Sequence, residues 1–181
     1  MKHNLNQMET QLMVIDFQEK LVPIMEDSEF TVKNAITLIK LAKTLEIPIT
    51  VTEQYPKGIG HTILEISKEL EGINIFEKDS FSSFTSEIEK HISKNNKQKI
   101  IISGIETHIC VFQTVRDLIE NGYEVYVVLD AVSSRTKVNR DSGISLMKDM
   151  GAIITNTETV LFDLLKVSTH PKFRELSKLI K

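Results

Sequence analysis

Residues 99–121 read KIIISGIETHICVFQTVRDLIEN, and this stretch decides the architecture. Lys99 to Ser103 is a short apolar run rich in β-branched residues, with no polar alternation. A strand of that kind is buried on both faces, as the strands of parallel sheets are. The period then changes. Ile109, Phe112, Val115 and Ile119 recur at helical spacing over Thr107–Asn121, and Gly122 follows as a C-terminal stop. A buried strand leading through a turn into a helix is half of a βαβ unit.

The same alternation extends in both directions. Further strands are expected at Leu12–Asp16, Pro48–Thr52, Asn74–Lys78, Tyr123–Leu129 and Ala152–Thr155. Helices are expected at Glu29–Leu45, with Ser28 as its N-cap, and at Phe84–Ser93 and Val138–Met150, with a terminal helix at Pro171–Lys181. Right-handed crossovers between such strands build an α/β fold, a three-layer αβα sandwich around a six-stranded parallel sheet. No repeat, low-complexity tract or linker divides the chain, so residues 1–181 are expected to form one domain. The connection Glu53–Gly72 is the most irregular part. Its Gln54-Tyr55-Pro56-Lys57-Gly58 segment reads as a pocket-lining loop, and Ser133–Lys137 as a second loop.

Composition narrows the function classes. The formal net charge is −3, with charges of both signs mixed along the chain, which argues against nucleic acid or an anionic membrane as partner. No apolar run approaches the ~20 residues that cross a bilayer. One cysteine cannot form an internal disulfide and the first residues are polar, so the cytoplasm is the expected location. There is no P-loop, no G-x-G-x-x-G and no G-x-S-x-G. The five histidines show no metal-ligand spacing, and neither a metal nor another cofactor is expected.

Ligands of open α/β sheets bind beyond the carboxyl ends of the strands. Three reactive residues fall there: Asp16 after strand one, Lys78 at the end of strand three and Cys110 after strand four. With Thr107 as N-cap, Cys110 would be the third helical residue, where unpaired N–H groups and the helix dipole favour a thiolate. A buried structural cysteine is the alternative reading. Against it, Cys110 points roughly 140° from the apolar stripe at helical spacing. It shares its face with Gln113, Thr114 and Asp117. Asp16 reads either as a loop cap or as a general base beside the thiol. Lys78, inside Glu77-Lys78-Asp79, reads either as a solvated turn or as a cation that stabilises negative charge.

At these residues the chain resembles the isochorismatase-like cysteine hydrolases. The matching stretches are Val14-Ile15-Asp16-Phe17-Gln18, Phe76-Glu77-Lys78-Asp79-Ser80-Phe81-Ser82-Ser83-Phe84 and Gly104-Ile105-Glu106-Thr107-His108-Ile109-Cys110-Val111. The resemblance implies a triad of Asp16, Lys78 and Cys110 on a sheet of strand order 3-2-1-4-5-6. Asp16 and Cys110 would then meet at the topological switch point, and Lys78 would reach across roughly 10 Å. It also implies a cis peptide after Ile105, with the N–H groups of Glu106 and Cys110 forming an oxyanion hole. The nicotinamidase branch carries an Asp-x-His metal motif after strand two. Here that position reads Thr52-Glu53-Gln54-Tyr55, which is closer to the metal-free isochorismatase domain-containing members.

The resemblance thus implies a hydrolase of a small amide or carbamoyl substrate, working through a thioester on Cys110. Phe17, Gln54, Tyr55, Phe81 and Phe84 are the expected substrate contacts. A homo-oligomer is expected, since family members commonly associate. Two other readings stay open: a non-catalytic scaffold that keeps the fold, and a thiol-redox protein, which would need an external thiol to resolve Cys110.

Overall fold

A computed structural model describes residues 3–180. The two ends of the expected domain, and with them the last residue of the expected terminal helix, lie outside the described residues. In chain order the elements are β1 (Thr10–Ile15), α1 (Ser28–Thr44), β2 (Ile49–Gln54), α2 (Pro56–Ile59), α3 (Leu64–Ser67), β3 (Ile75–Lys78), α4 (Ser86–Lys94) and β4 (Lys99–Ile105). There follow α5 (Phe112–Glu120), β5 (Glu124–Ser133), α6 (Lys137–Asp149), β6 (Ile153–Thr155), α7 (Thr157–Leu165) and α8 (Phe173–Leu176).

The six strands form one sheet in the order β3-β2-β1-β4-β5-β6, and every neighbouring pair is parallel. The unbroken apolar runs have the expected cause: both faces of the sheet are covered. Leu12 and Val14 of β1 and Ile101 of β4 join Leu38 and Leu41 of α1 and Val160 and Leu164 of α7 on one face. Met13 and Ile15 of β1 and Ile100 and Ile102 of β4 join Ile88, Ile92, Val115, Leu118 and Met147 on the other. Successive strand residues point to opposite faces, so a strand covered on both must be apolar throughout.

Five local expectations need correction. β3 is not buried on both faces: it is an edge strand, and Ile75 and Glu77 are exposed. Helix α7 was not anticipated, although Asn156 caps it by accepting from the N–H of Thr159, and Val160, Leu161 and Leu164 line one face. The connection Glu53–Gly72 is not wholly irregular, since it carries α2 and α3. The terminal helix is reduced to the single turn of α8. Finally, α1 begins at Ser28, with Asp27 in left-handed conformation as its N-cap.

Candidate active site

Chain reversal at the carboxyl edge of the sheet places the first site residue. β1 pairs with β2 on one side and β4 on the other, and Asp16 follows its last residue with φ 56°. Its carboxylate is wholly buried. Oδ1 accepts from the Thr52 hydroxyl at 2.7 Å, and Oδ2 from Lys78 Nζ at 2.7 Å. Lys78 ends β3 in register with Gln54 of β2, so its side chain crosses β2 to reach Asp16. Both side chains of this ion pair are 0% exposed. Long reach across the sheet is therefore realised, and Lys78 is not a solvated turn residue. Three neutral oxygens complete its surroundings: Gln54 Oε1 at 3.0 Å, the Phe81 carbonyl at 3.1 Å and the Ser80 carbonyl at 3.2 Å.

Cys110 arrives from β4 by a different turn than expected. Thr107–Val111 is a π turn, with Glu106 as N-cap, and the α-helical part starts at Phe112. Val111 donates to the Glu106 carbonyl, the five-residue step of that wider turn. Thr107 is thus not the cap, and its buried hydroxyl has no protein partner. The face shared by Cys110 and Thr114 does not open to solvent either. Cys110 is 6% exposed and Thr114 is buried. The Thr114 hydroxyl donates to the Cys110 carbonyl at 2.6 Å and accepts from the Ser83 N–H at 2.8 Å, so the segment after β3 roofs this face. Ser83 Oγ in turn lies 3.2 Å from Thr52 Oγ1.

Electrostatics overturn the expected thiolate. Burial pushes the Cys110 thiol up, the Asp16 charge adds to this, and Lys78 and the Glu106 backbone N–H only partly offset it, leaving a value of about 12. Burial likewise raises Asp16 above the ordinary carboxylate range, against the charge and hydrogen bond of Lys78. The resting arrangement is a neutral thiol beside a Lys–Asp ion pair. Desolvation of charge outweighs a helix terminus here because all three groups lie beneath the surface.

The Ile105–Glu106 peptide is cis, as the resemblance implied. The buried Glu106 carboxylate accepts from Arg135 Nε at 3.0 Å, and His108 Nδ1 lies 3.0 Å from Ser134 Oγ. Among the expected substrate contacts, Tyr55 and Phe81 are exposed. Phe17 instead belongs to the core beside Met25 and Val32, and Phe84 stacks edge-on against Tyr123. Gln54 is 8% exposed, with its amide directed to Lys78 and the Asp79 carbonyl. An open cavity of about 590 Å³ meets Lys78 and is rimmed by Tyr55, Lys57, Glu77, Asp79 and Glu87, but neither Asp16 nor Cys110 lines it.

Thr52, Ser83 and Thr114 are site-forming residues that sequence reasoning missed. Hydroxyls in a strand, a loop and a helix, as these are, carry no pattern of their own; only the pairing of distant segments gives them a role. Glu53, between Thr52 and Gln54, is spent on the Thr62 N–H and hydroxyl at 2.6 and 2.7 Å and on His61 at 3.0 Å. No helix among the described residues is long and apolar enough to cross a membrane.

Comparison with known proteins agrees with this geometry. The secreted isochorismatase effector Isc1 of Phytophthora sojae is 39% identical over 175 residues, covering 94% of this chain and 83% of that protein. The structure of the MAR1 ribonuclease from Caenorhabditis elegans superposes with a TM-score of 0.94 at 40% identity, covering 98% of this chain and 92% of the other. The YcaC gene product of Escherichia coli, an octameric hydrolase of unknown specificity, shares the fold at 22% identity and a TM-score of 0.88, over 97% and 95% of the two chains. With the isochorismatase domain matching residues 10–159 on top of the strand order and the cis peptide, the chain belongs to the isochorismatase family and carries its hydrolase fold.

Proposed function

We propose that this protein is a cysteine hydrolase of a small amide or carbamoyl substrate, with Asp16, Lys78 and Cys110 as its catalytic residues. The observation that carries the reading is the wholly buried Lys78–Asp16 pair at 2.7 Å, whose carboxylate bears directly on the Cys110 thiol. A buried ion pair is a poor way to gain stability, so a functional use is the better account of it.

In this reading, Asp16 accepts the thiol proton as Cys110 Sγ attacks the substrate carbonyl. Its raised titration makes it a stronger base than an ordinary carboxylate. The thiol's high value keeps the sulfur protonated until a substrate carbonyl takes up its electron pair. The developing oxyanion is received by the N–H groups of Glu106 and Cys110. Asp16 hands its proton to the leaving amine, a thioester remains on Cys110, and water hydrolyses it to the acid. Lys78 stabilises the negative charge throughout. Thr52 and Gln54 lie in the segment where the nicotinamidase branch carries its metal motif, and here they hydrogen-bond to Asp16 and Lys78. No metal enters this mechanism.

The ribonuclease from C. elegans makes a phosphodiester the second reading. The net charge of −3 and the acidic side chains of Glu77, Asp79 and Glu87 around the cavity weigh against a polyanion. A cytoplasmic location is proposed from the single thiol, and a homo-oligomer from the octameric E. coli neighbour.

The test is a panel of small primary amides and carbamoyl compounds, with an RNA arm, offered to wild type and Cys110→Ala. Amide turnover by the wild type, lost at least 10³-fold in the variant, is the expected result, together with a thioester on Cys110 trapped by mass spectrometry. Equal turnover by Cys110→Ala, or cleavage of RNA with no amide turnover, overturns the reading.

A further inference from the structure

An ammonium has three hydrogens to donate, and four oxygens surround that of Lys78. One is the Asp16 carboxylate at 2.7 Å. The other three are neutral, and of these only Gln54 Oε1, at 3.0 Å, belongs to a side chain. Gln54 is itself clamped. Its Nε2 donates to the Asp79 carbonyl at 2.8 Å. Its backbone N–H donates to Gln18 Oε1 at 2.7 Å, and its carbonyl accepts from Gln18 Nε2 at 2.9 Å. Gln18 Nε2 also donates to the Gly60 carbonyl at 2.6 Å, which ties the clamp to the loop after α2.

We propose that Gln54 is a positioning residue: its amide carbonyl aims the Lys78 ammonium at Asp16, while its amide N–H fixes the turn that supplies the ammonium's remaining acceptors. This deepens the hydrolase reading and rests on it only in taking Asp16, Lys78 and Cys110 as the reacting set. The expected role of Gln54 as a substrate contact is replaced, because both ends of its amide are already occupied and the residue is buried. The chemistry explains the residue type. Glutamate would put a second anion on one buried ammonium and loosen its hold on Asp16. An apolar side chain would release the Asp79 carbonyl and leave the Lys78 ammonium held by Asp16 and two backbone carbonyls alone, with no side chain to aim it.

The experiment reads the pH dependence of Cys110 alkylation by iodoacetamide. The sequence has one cysteine, so the label reports on that site alone. The titratable groups that bear on Cys110 are Asp16 and Lys78, and those that bear on Asp16 are Lys78 and Cys110. Gln54→Glu adds negative charge to this set. It is expected to slow alkylation about tenfold below the thiol's titration, the equivalent of one pKa unit. Gln54→Met slows it in the same sense through loss of aim, and Gln54→Asn, one methylene short, is the second variant if the methionine does not fold. Lys78→Met is the reference and slows alkylation more than any Gln54 variant. A residue with a merely structural role would lower the melting temperature and leave the profile on the wild-type curve. If the Gln54 variants keep that curve while Lys78→Met departs from it, the positioning role is wrong and the reacting set stands. If Lys78→Met also keeps it, both fall.

Discussion

Two buried carboxylates in this protein shift in opposite directions, and their surroundings explain why. Asp16 has one ammonium, one hydroxyl and the Cys110 thiol against complete burial, and burial wins. At Glu53, burial is again the largest single influence, but the Thr62 hydroxyl and N–H and the His61 ring together outweigh it and hold the carboxyl below its usual range. A group lowered on folding contributes stability that is present above its unfolded value, about 4.3 for glutamate, and is lost as pH falls through the folded value. Glu53→Gln is therefore expected to cost about 1–3 kcal/mol at pH 7 and to flatten the acid limb of stability. Urea melts of both proteins at pH 3–7 check this; parallel curves over the whole range would show that Glu53 carries no acid-dependent share. Asp16 has the reverse sign, since holding it ionised costs the fold rather than supporting it. That is the expected signature of a group kept for chemistry.

At the scale of elements, close approach of backbones is what assembles the site. Gly104 pairs with Ile15 across β1 and β4, and a Cβ built there would lie 2.5 Å from Ile15 Cβ and 2.7 Å from the Ile15 carbonyl oxygen. Neither neighbour can yield without moving the strand that delivers Asp16. Gly104→Ala is expected to cost about 3 kcal/mol, the upper end for over-packing. Gly143 of α6 serves the other partner. A Cβ there would come within 2.9 Å of His108 Cα and 3.0 Å of the Thr107 carbonyl, inside the π turn that presents Cys110. Gly143→Ala is expected to cost less, about 1–2 kcal/mol, and to alter Cys110 reactivity more per unit of stability lost. Thermal melts set beside alkylation rates separate the two; identical ratios in both variants would show that α6 does not bear on the turn.

The whole molecule is a sheet between two apolar layers, and the layers share only the strands. Leu38 on the α1 face and Leu118 on the α5 face are both fully buried, in separate clusters. Each truncation to alanine is expected to cost about 2–5 kcal/mol. The double variant should equal the sum within about 0.5 kcal/mol, because the two residues belong to separate clusters on opposite faces of the sheet. Denaturant melts of the three variants give the coupling directly, and a departure above 1 kcal/mol would mean that the sheet transmits strain between its faces.

Much of this was readable from residue order alone. Runs such as Ile100–Ile102 and Leu12–Ile15 are apolar at every position because both faces of a parallel sheet are covered, and this periodicity is a property of the chain. The positions of Asp16 and Lys78 at strand ends, and of Cys110 in the turn after β4, were legible for the same reason. What the chain order alone does not contain is partnership between distant segments. The edge position of β3 exposes Ile75 and Glu77, the π turn buries Cys110, and the roof over it depends on Ser83 meeting Thr114. A helix terminus favours a thiolate only where water or fixed donors solvate it. Here tertiary burial raises the thiol instead. Sequence by itself determined the layers and the ends of β3 and β6, because these follow from local period, whereas β2, β4 and β5 run on past their expected ends to Gln54, Ile105 and Ser133. Tertiary structure decided burial, charge state and hydrogen-bond partners, because each depends on what the rest of the chain brings within 3 Å.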